Sequence, residues 1–275
     1  MLRSMITATN TMTQLQKQLD TISHNMANIN TTGYKRRETN FQELLFQQFN
    51  NQPINGKEIG RLTPNGIRQG VGAKLSHTSL LLTQGSIQST DRALDLALTK
   101  YNQFFEVQVD GEGTVHYTRD GSFHLSPLAD GTDYVQIVTS EGFPVMSEEG
   151  PIILADTISE LQFSDNGELT VKYQDGTSEN FNLSIAQINR PQLLQSAGNN
   201  KYSLPNLDEL NVNQADVFGI VERGDISIVQ GALEQSNVSL EKEMTELINM
   251  QRSYQFNGKS ISIADQMMGL VNGIR

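Results

Sequence analysis

The sequence predicts an α+β protein: long N- and C-terminal helices forming a coiled-coil pair, with an inserted antiparallel β-domain and an extended linker arm. Apolar residues recur with helical spacing at both ends of the chain. Short apolar segments alternate with Asp-Gly and Asn-Gly turns through its middle. A glycine-punctuated stretch joins the first helix to that middle. These features divide the 275 residues into an N-terminal coiled-coil helix (1–33), a linker arm (34–75), a β-rich middle domain (76–204), a return linker (205–236) and a C-terminal coiled-coil helix (237–275).

Met1, Met5, Ala8, Met12, Leu15, Leu19, Ile22, Met26 and Ile29 follow alternating steps of four and three, the a and d positions of a heptad pattern. Thr, Asn, Gln, Lys, Asp and Ser fill the positions between, so the apolar stripe is narrow. A stop follows at Asn28-Ile29-Asn30-Thr31-Thr32-Gly33, where Gly33 is suited to a left-handed conformation.

At the other end, Ser239 or Asn237 is placed to cap a helix running to about Ile274, with Glu241 and Glu243 in its first turn, where the helix dipole favours them. Leu240, Leu247, Tyr254, Ile261 and Met268 recur every seven residues, and Met250, Ala264 and Val271 fill the intervening seam. A second stripe, Ile263, Met267, Leu270 and Ile274, lies outside that seam. A helix resting on a single partner needs one stripe. The second implies a further cover, for which another copy of the chain is the natural candidate.

From about residue 65 to 215 the helical period vanishes. Turns are expected at Asn65-Gly66, Asp110-Gly111, Asp120-Gly121, Asp130-Gly131, Glu141-Gly142, Asn166-Gly167 and Asp175-Gly176. Strands are expected at 104–109, 115–118, 135–138, 169–173 and 181–185. Spacing of this kind indicates antiparallel meanders in a sandwich or open barrel. Before them, Phe41, Leu44, Leu45, Phe46 and Phe49 are compatible with a helical extension that Asn50-Asn51-Gln52-Pro53 breaks. The glycines at 56, 60, 66, 70 and 72 then read as an arm that touches neighbouring subunits.

Catalytic chemistry finds little to build on. The chain has no cysteine, which excludes disulfides and thiolate metal sites. It lacks a Gly-x-Ser-x-Gly elbow, a His-Glu-x-x-His pair and a phosphate-cradling glycine loop. His24 lies off the helix seam and reads as exposed. A two-residue hairpin at Asp120-Gly121 would pair Tyr117 with His124 and send His116 and His124 to opposite faces, which argues against a shared metal. Asp110-Gly111-Glu112-Gly113 lacks the later acidic ligands of a calcium loop. No cofactor and no metal is expected. The net charge of −11 disfavours nucleic acid, and no long apolar run predicts membrane insertion. Lys35-Arg36-Arg37 is the one dense basic run, and an acidic surface on a neighbour is its natural target. The N-terminus lacks the apolar block of a cleaved secretory signal.

Several motifs resemble one family. The run 27–36, with Ala27, Asn28, Asn30, Thr31, Gly33, Tyr34, Lys35 and Arg36, is similar to the N-terminal signature of bacterial flagellar rod, hook and hook-associated proteins. Gln230-Gly231-Ala232-Leu233-Glu234-Gln235-Ser236-Asn237-Val238 resembles the family's C-terminal entry motif, continued by Gln251, Arg252, Asn257, Asp265 and Met267. Tyr117-Thr118-Arg119-Asp120-Gly121-Ser122-Phe123 and Thr139-Ser140-Glu141-Gly142-Phe143-Pro144-Val145 resemble its middle domain. The segment 98–103 departs from the pattern, since no glycine precedes Phe104-Phe105. Length and arrangement look most like a distal rod subunit, with proximal rod and hook as alternatives.

The resemblance implies a non-enzymatic subunit of the flagellar basal body. It implies an extracytoplasmic place, reached through the flagellar type III export apparatus without loss of a signal peptide. It implies self-assembly into a hollow helical shaft that transmits torque from motor to hook, together with other rod and hook subunits. The seams at Met5, Met12, Leu15, Leu19, Ile22, Met26, Ile29, Leu240, Leu247, Tyr254, Ile261 and Met268 are the surfaces expected to assemble. Two readings from other classes compete. A secreted cell-wall-acting enzyme would need paired carboxylates, for which Asp91, Asp95 and Glu106 are poor candidates. A binding module would need an exposed aromatic patch, and Tyr101, Phe104 and Phe105 are better suited to a core.

Overall fold

The computed structural model describes residues 2–45, 47–49, 67–70, 72–109, 114–128, 133–205, 213, 217–219, 221 and 223–273. The chain forms two compact units, one from Met1–His24, Arg37–Ser79 and Glu241–Arg275, the other from Asn25–Arg36 and Leu80–Leu240. Met1, Phe46, Ile274, most of the arm, the Asn65-Gly66 and Asp130-Gly131 turns and the Asp110–Gly113 loop lie outside the described residues.

The first unit holds most of helix α1 (Leu2–Ala27) and of helix α2 (Leu240–Gly273). Threonines are poor helix formers, yet α1 carries several. The hydroxyls of Thr9, Thr11, Thr13 and Thr21 donate to carbonyls four residues back, which satisfies them without leaving the helix. The same unit contains an extended ribbon in which Arg37–Glu43 pairs with Ala73–Leu80 and Gln47–Phe49 runs antiparallel to Ile67–Gln69. The described part of segment 41–49, without Phe46, is therefore not a helical extension. Its backbone is engaged across the ribbon, with Leu44 N donating to Gly72 O at 2.9 Å. Gln14 of α1 accepts from Leu75 N at 3.0 Å, which ties the ribbon to the helix.

The second unit is built on a six-stranded antiparallel sheet ordered Gln195–Gly198, Lys201–Ser203, Val115–Thr118, Gln103–Gln108, Ile185–Ile188, Phe218–Gly219. Side-chain alternation along Gln103–Gln108 explains why both phenylalanines are buried. Phe105 and Val107 enter a large core with Leu96, Phe123, Ile137 and Leu169. Phe104 faces the other way, into a smaller core with Tyr117, Ala186, Ile188 and Tyr202. Neither phenylalanine is available as an exposed aromatic patch, and only Tyr101 of the three is exposed. The core of the first face is completed by the sheets Ile158–Phe163/Glu168–Tyr173/Ser178–Asn182 and Ile153–Ala155/Tyr134–Val138/His124–Pro127.

Two local expectations fail. Segment 181–185 is the end of one strand and the start of another, because Leu183 N donates to Gly167 O and Ser184 N to Met146 O, in different neighbours. The Asp120-Gly121 hairpin does not form. Val115–Thr118 pairs with Gln103–Gln108, while His124–Pro127 pairs with Tyr134–Val138. Asp120 instead closes a local turn, its Oδ1 accepting from Ser122 N and Oγ. A Cβ on Gly121 would lie 1.8 Å from Leu96 O, so the chain crosses that strand at a distance only glycine permits.

Candidate functional site

In the second unit the segment that leaves α1 meets the segment that leads into α2. Gly33 follows α1 with φ +64°, a left-handed turn that a β-carbon would strain. A Cβ there would also stand 2.5 Å from the carbonyl carbon of Arg119. Gly33 N donates to Glu234 O at 2.7 Å. The next residues then run between two other segments. Asn237 Oδ1 accepts from Arg36 N at 2.7 Å, and its Nδ2 donates to Leu81 O at 2.8 Å and Thr83 O at 2.9 Å. Leu81 N donates to Arg36 O at 2.9 Å.

At the centre is a buried ionic node. Glu234 Oε1 accepts from Lys35 Nζ at 2.7 Å and from Gly85 N at 2.8 Å, and Oε2 accepts from Arg119 Nε at 2.5 Å. Lys35 Nζ also donates to Thr83 O, and Arg119 to the carbonyls of Gln103 and Leu98. All three charged side chains are essentially sealed from solvent. Burial works against charge on Glu234, yet Arg119 and Lys35 outweigh it and hold the carboxyl below its ordinary range. Burial, aided by repulsion from Arg119, pushes Lys35 down to about 8 despite Glu234. Charge on the carboxylate is favoured because it has two cations; charge on the lysine is disfavoured because its one anion is shared and does not offset burial and Arg119. Around the node, Tyr34 Oη donates to Asn25 Oδ1, Thr32 Oγ1 to Asp120 Oδ1, and Asn200 Nδ2 to Thr32 O.

This arrangement corrects the reading of the basic run. Lys35 and Arg36 are buried within the chain and do not face a neighbour. It also supplies residues that the sequence reading quoted within motifs but did not single out, Arg119 and Glu234. The signal was present, since Glu234 alternates with the apolar Ala232, and both prove buried.

Of the other motif residues, Tyr34 is buried, Asn28, Thr31, Ser236 and Asn257 are half-buried, and Ala27, Asn30, Gln251, Arg252, Asp265 and Met267 are exposed. On α1, Leu15 and Ile22 are buried and Met5, Met12, Leu19 and Met26 half-buried, as is Ile29 beyond it. On α2 the sheltered face carries Glu243, Met250, Asn257 and Ala264 with Leu247, Ile261 and Met268, while Leu240 and Tyr254 are exposed. Asp95 is buried and accepts from Thr90 Oγ1, so it does not form an open acid pair with Asp91. His116 and His124 lie on strands of different sheets.

Comparison with known proteins places three stretches in flagellar families. Residues 5–35 match the family described as flagella basal body rod protein, 101–171 the D1 domain of the flagellar hook protein FlgE/F/G, and 229–274 the C-terminal region of flagellar basal body rod FlgEFG proteins. Lys35, Arg119 and Glu234 fall one in each. The chain is 45% identical to the flagellar hook-basal body complex protein FlhP of Bacillus subtilis, over the full length of both. It is 32% identical to the flagellar basal-body rod protein FlgG of Borreliella burgdorferi, covering 100% of this chain and 99% of that one. It is 30% identical to the FlgG of Bacillus subtilis, covering 98% and 97%.

Proposed function

The chain belongs to the flagellar basal-body rod and hook protein family, and from that premise we propose that it polymerises through its two terminal helices into a hollow helical shaft carrying torque from motor to hook. It is a structural subunit of the basal-body rod, and it assembles with other rod and hook subunits. In the proposed shaft α1 and α2 pair as a coiled coil on the inner wall, and the described part of the linker arm (34–75) reaches neighbouring subunits. The subunit takes a distal rod position outside the cytoplasm, delivered by the flagellar type III apparatus with its N-terminus uncleaved.

The observation that carries this reading is the surface of α2. Phe256, Ile263, Met267 and Leu270 are exposed, Leu270 at 70%. Successive residues turn about 100° on a helix, so these four share a stripe well away from the sheltered face at Met250, Asn257 and Ala264. Each large apolar side chain moved from water into a contact contributes about 1.5–3 kcal/mol. A head-to-tail contact that does not close on itself generates a helical tube.

Ile263→Glu combined with Leu270→Glu tests it. The double variant is expected to unfold at the same urea concentration as the parent while leaving cells non-motile and without completed hook-basal bodies. Normal motility with both charges in place overturns the reading.

A further inference from the structure

The second face of the six-stranded sheet holds a cavity of about 310 Å³. Glu106 and Tyr117 stand directly opposite each other on paired strands, so their side chains share that face. Both line the cavity, with Ser184, Phe218 and Ile226 among its other walls. The Tyr117 and Phe218 rings lie 5.2 Å apart, tilted, and form an aromatic wall. Ser184 Oγ donates to Glu106 Oε2 at 2.6 Å, which fixes the carboxylate in place. Tyr117 is more than nine-tenths buried. Glu148 adds a second carboxylate at the rim, already paired with Arg223 at 2.8 Å.

We propose that this cavity binds an organic cation, an alkylammonium or guanidinium group, held by Glu106 against the Tyr117 and Phe218 rings. A fixed carboxylate beside ring faces is the arrangement that favours such a group: the carboxylate supplies a charge-assisted hydrogen bond, and the rings supply cation–π attraction. The cavity volume suits a short alkyl chain with a charged end. Neither a metal nor an anion fits this set, since Glu106, a Glu148 already paired with Arg223 and two rings make a poor cage for the first and repel the second. The cation has two sources, a free amine or a lysine or arginine side chain offered by a neighbouring subunit.

The test is NMR of the full chain carrying ¹³C-labelled tyrosine, with the Tyr117 signals assigned from Tyr117→Phe. n-Butylammonium and agmatine are expected to shift them saturably, and n-butanol, of matching shape without charge, is not. Glu106→Gln is expected to weaken agmatine at least tenfold while its melting temperature stays with the parent's. No shift with either cation, or an equal shift with butanol, overturns the proposal on the unmodified chain alone. Radiolabelled agmatine separates the two sources. Retention by free subunit but not by isolated hook-basal bodies supports a neighbour's side chain in the cavity, and retention by both supports a free amine.

Discussion

Lys35 and Glu234 are 199 positions apart in the chain, and Lys35 Nζ meets Glu234 Oε1 at 2.7 Å in a site closed to water. Arg119, from the middle of the sequence, takes the other oxygen of the same carboxylate. Closing a loop of that length costs chain entropy, which packing of the intervening domain offsets. The node is therefore the point at which the end of α1, the middle domain and the approach to α2 are fastened. A rod subunit gains from a charged fastening here, since it fixes one register among three segments that apolar packing alone would leave free to slide.

Removing the shared carboxylate leaves two buried cations without their anion. Glu234→Gln keeps the shape and removes the charge, and breaking a buried pair in this way costs about 3–5 kcal/mol. The full chain is expected to unfold at markedly lower urea. Lys172→Ala, which breaks the exposed pair with Glu160, is expected to cost about 0–1 kcal/mol. Equal midpoints for the two variants would remove the node from the stability argument.

The node also sets a pH dependence. Glu234 has a folded-state value below its ordinary 4.5, so its contribution is present above that value and is lost as pH falls through the folded one. Lys35 sheds its proton near 8 in the folded chain, against 10.5 ordinarily. Between those values the unfolded chain binds more protons, and stability tied to Lys35 rises with pH. Melting temperatures across the pH range are expected to show the acid loss in the parent and a smaller one in Glu234→Gln. Lys35→Met is expected to lose the rise above pH 8, and an unchanged alkaline limb in that variant contradicts the assignment.

What was legible in the sequence was whatever depends on neighbours along the chain. The seams at Leu15 and Ile22, the stop at Gly33 and the strands around Phe105 and Val171 follow from periodicity and turn chemistry, which are local. What was not legible depends on distant partners. Asp120-Gly121 has the composition of a hairpin, but Leu96 occupies the space a hairpin would need and Arg119 is drawn inward to Glu234. Residues 37–43 carry no strong strand pattern and become a strand through pairing with 73–80. Lys35 reads as surface charge because burial of a cation is decided by whether an anion is waiting, and that anion, Glu234, is 199 positions away.

Gly33 and Gly142 both have positive φ, but only Gly33 is crowded. Alanine at either position carries the left-handed penalty of roughly 1–2 kcal/mol. At Gly142 nothing lies within 4 Å of the new methyl, whereas at Gly33 it meets the Arg119 backbone at 2.5 Å. Gly33→Ala is expected to be the more damaging of the two by a further 1 kcal/mol or more, roughly the cost of overpacking a close contact. Matched denaturation curves check this, and a milder effect at Gly33 than at Gly142 would show that the turn relaxes away from Arg119.

Asn237 offers the sharpest substitution, because its two ends do opposite work. Its oxygen accepts from Arg36 N at 2.7 Å, and its nitrogen donates to Leu81 O at 2.8 Å and to Thr83 O and Oγ1 at 2.9 and 3.1 Å. Aspartate has the same shape and keeps the first bond, but at neutral pH it turns a second oxygen towards two carbonyls and donates nothing. Leaving those acceptors unmet costs about 1–3 kcal/mol, and a charge raises the figure. A protonated carboxyl donates again, so Asn237→Asp is expected to recover relative to the parent as the solution is acidified towards pH 4, while Asn237→Ala shows no such recovery. The comparison is made at each pH against the parent, which cancels the acid loss at Glu234. A deficit for Asn237→Asp that stays constant from pH 7 to pH 4 would mean that the side-chain amide donors contribute nothing to joining the segments.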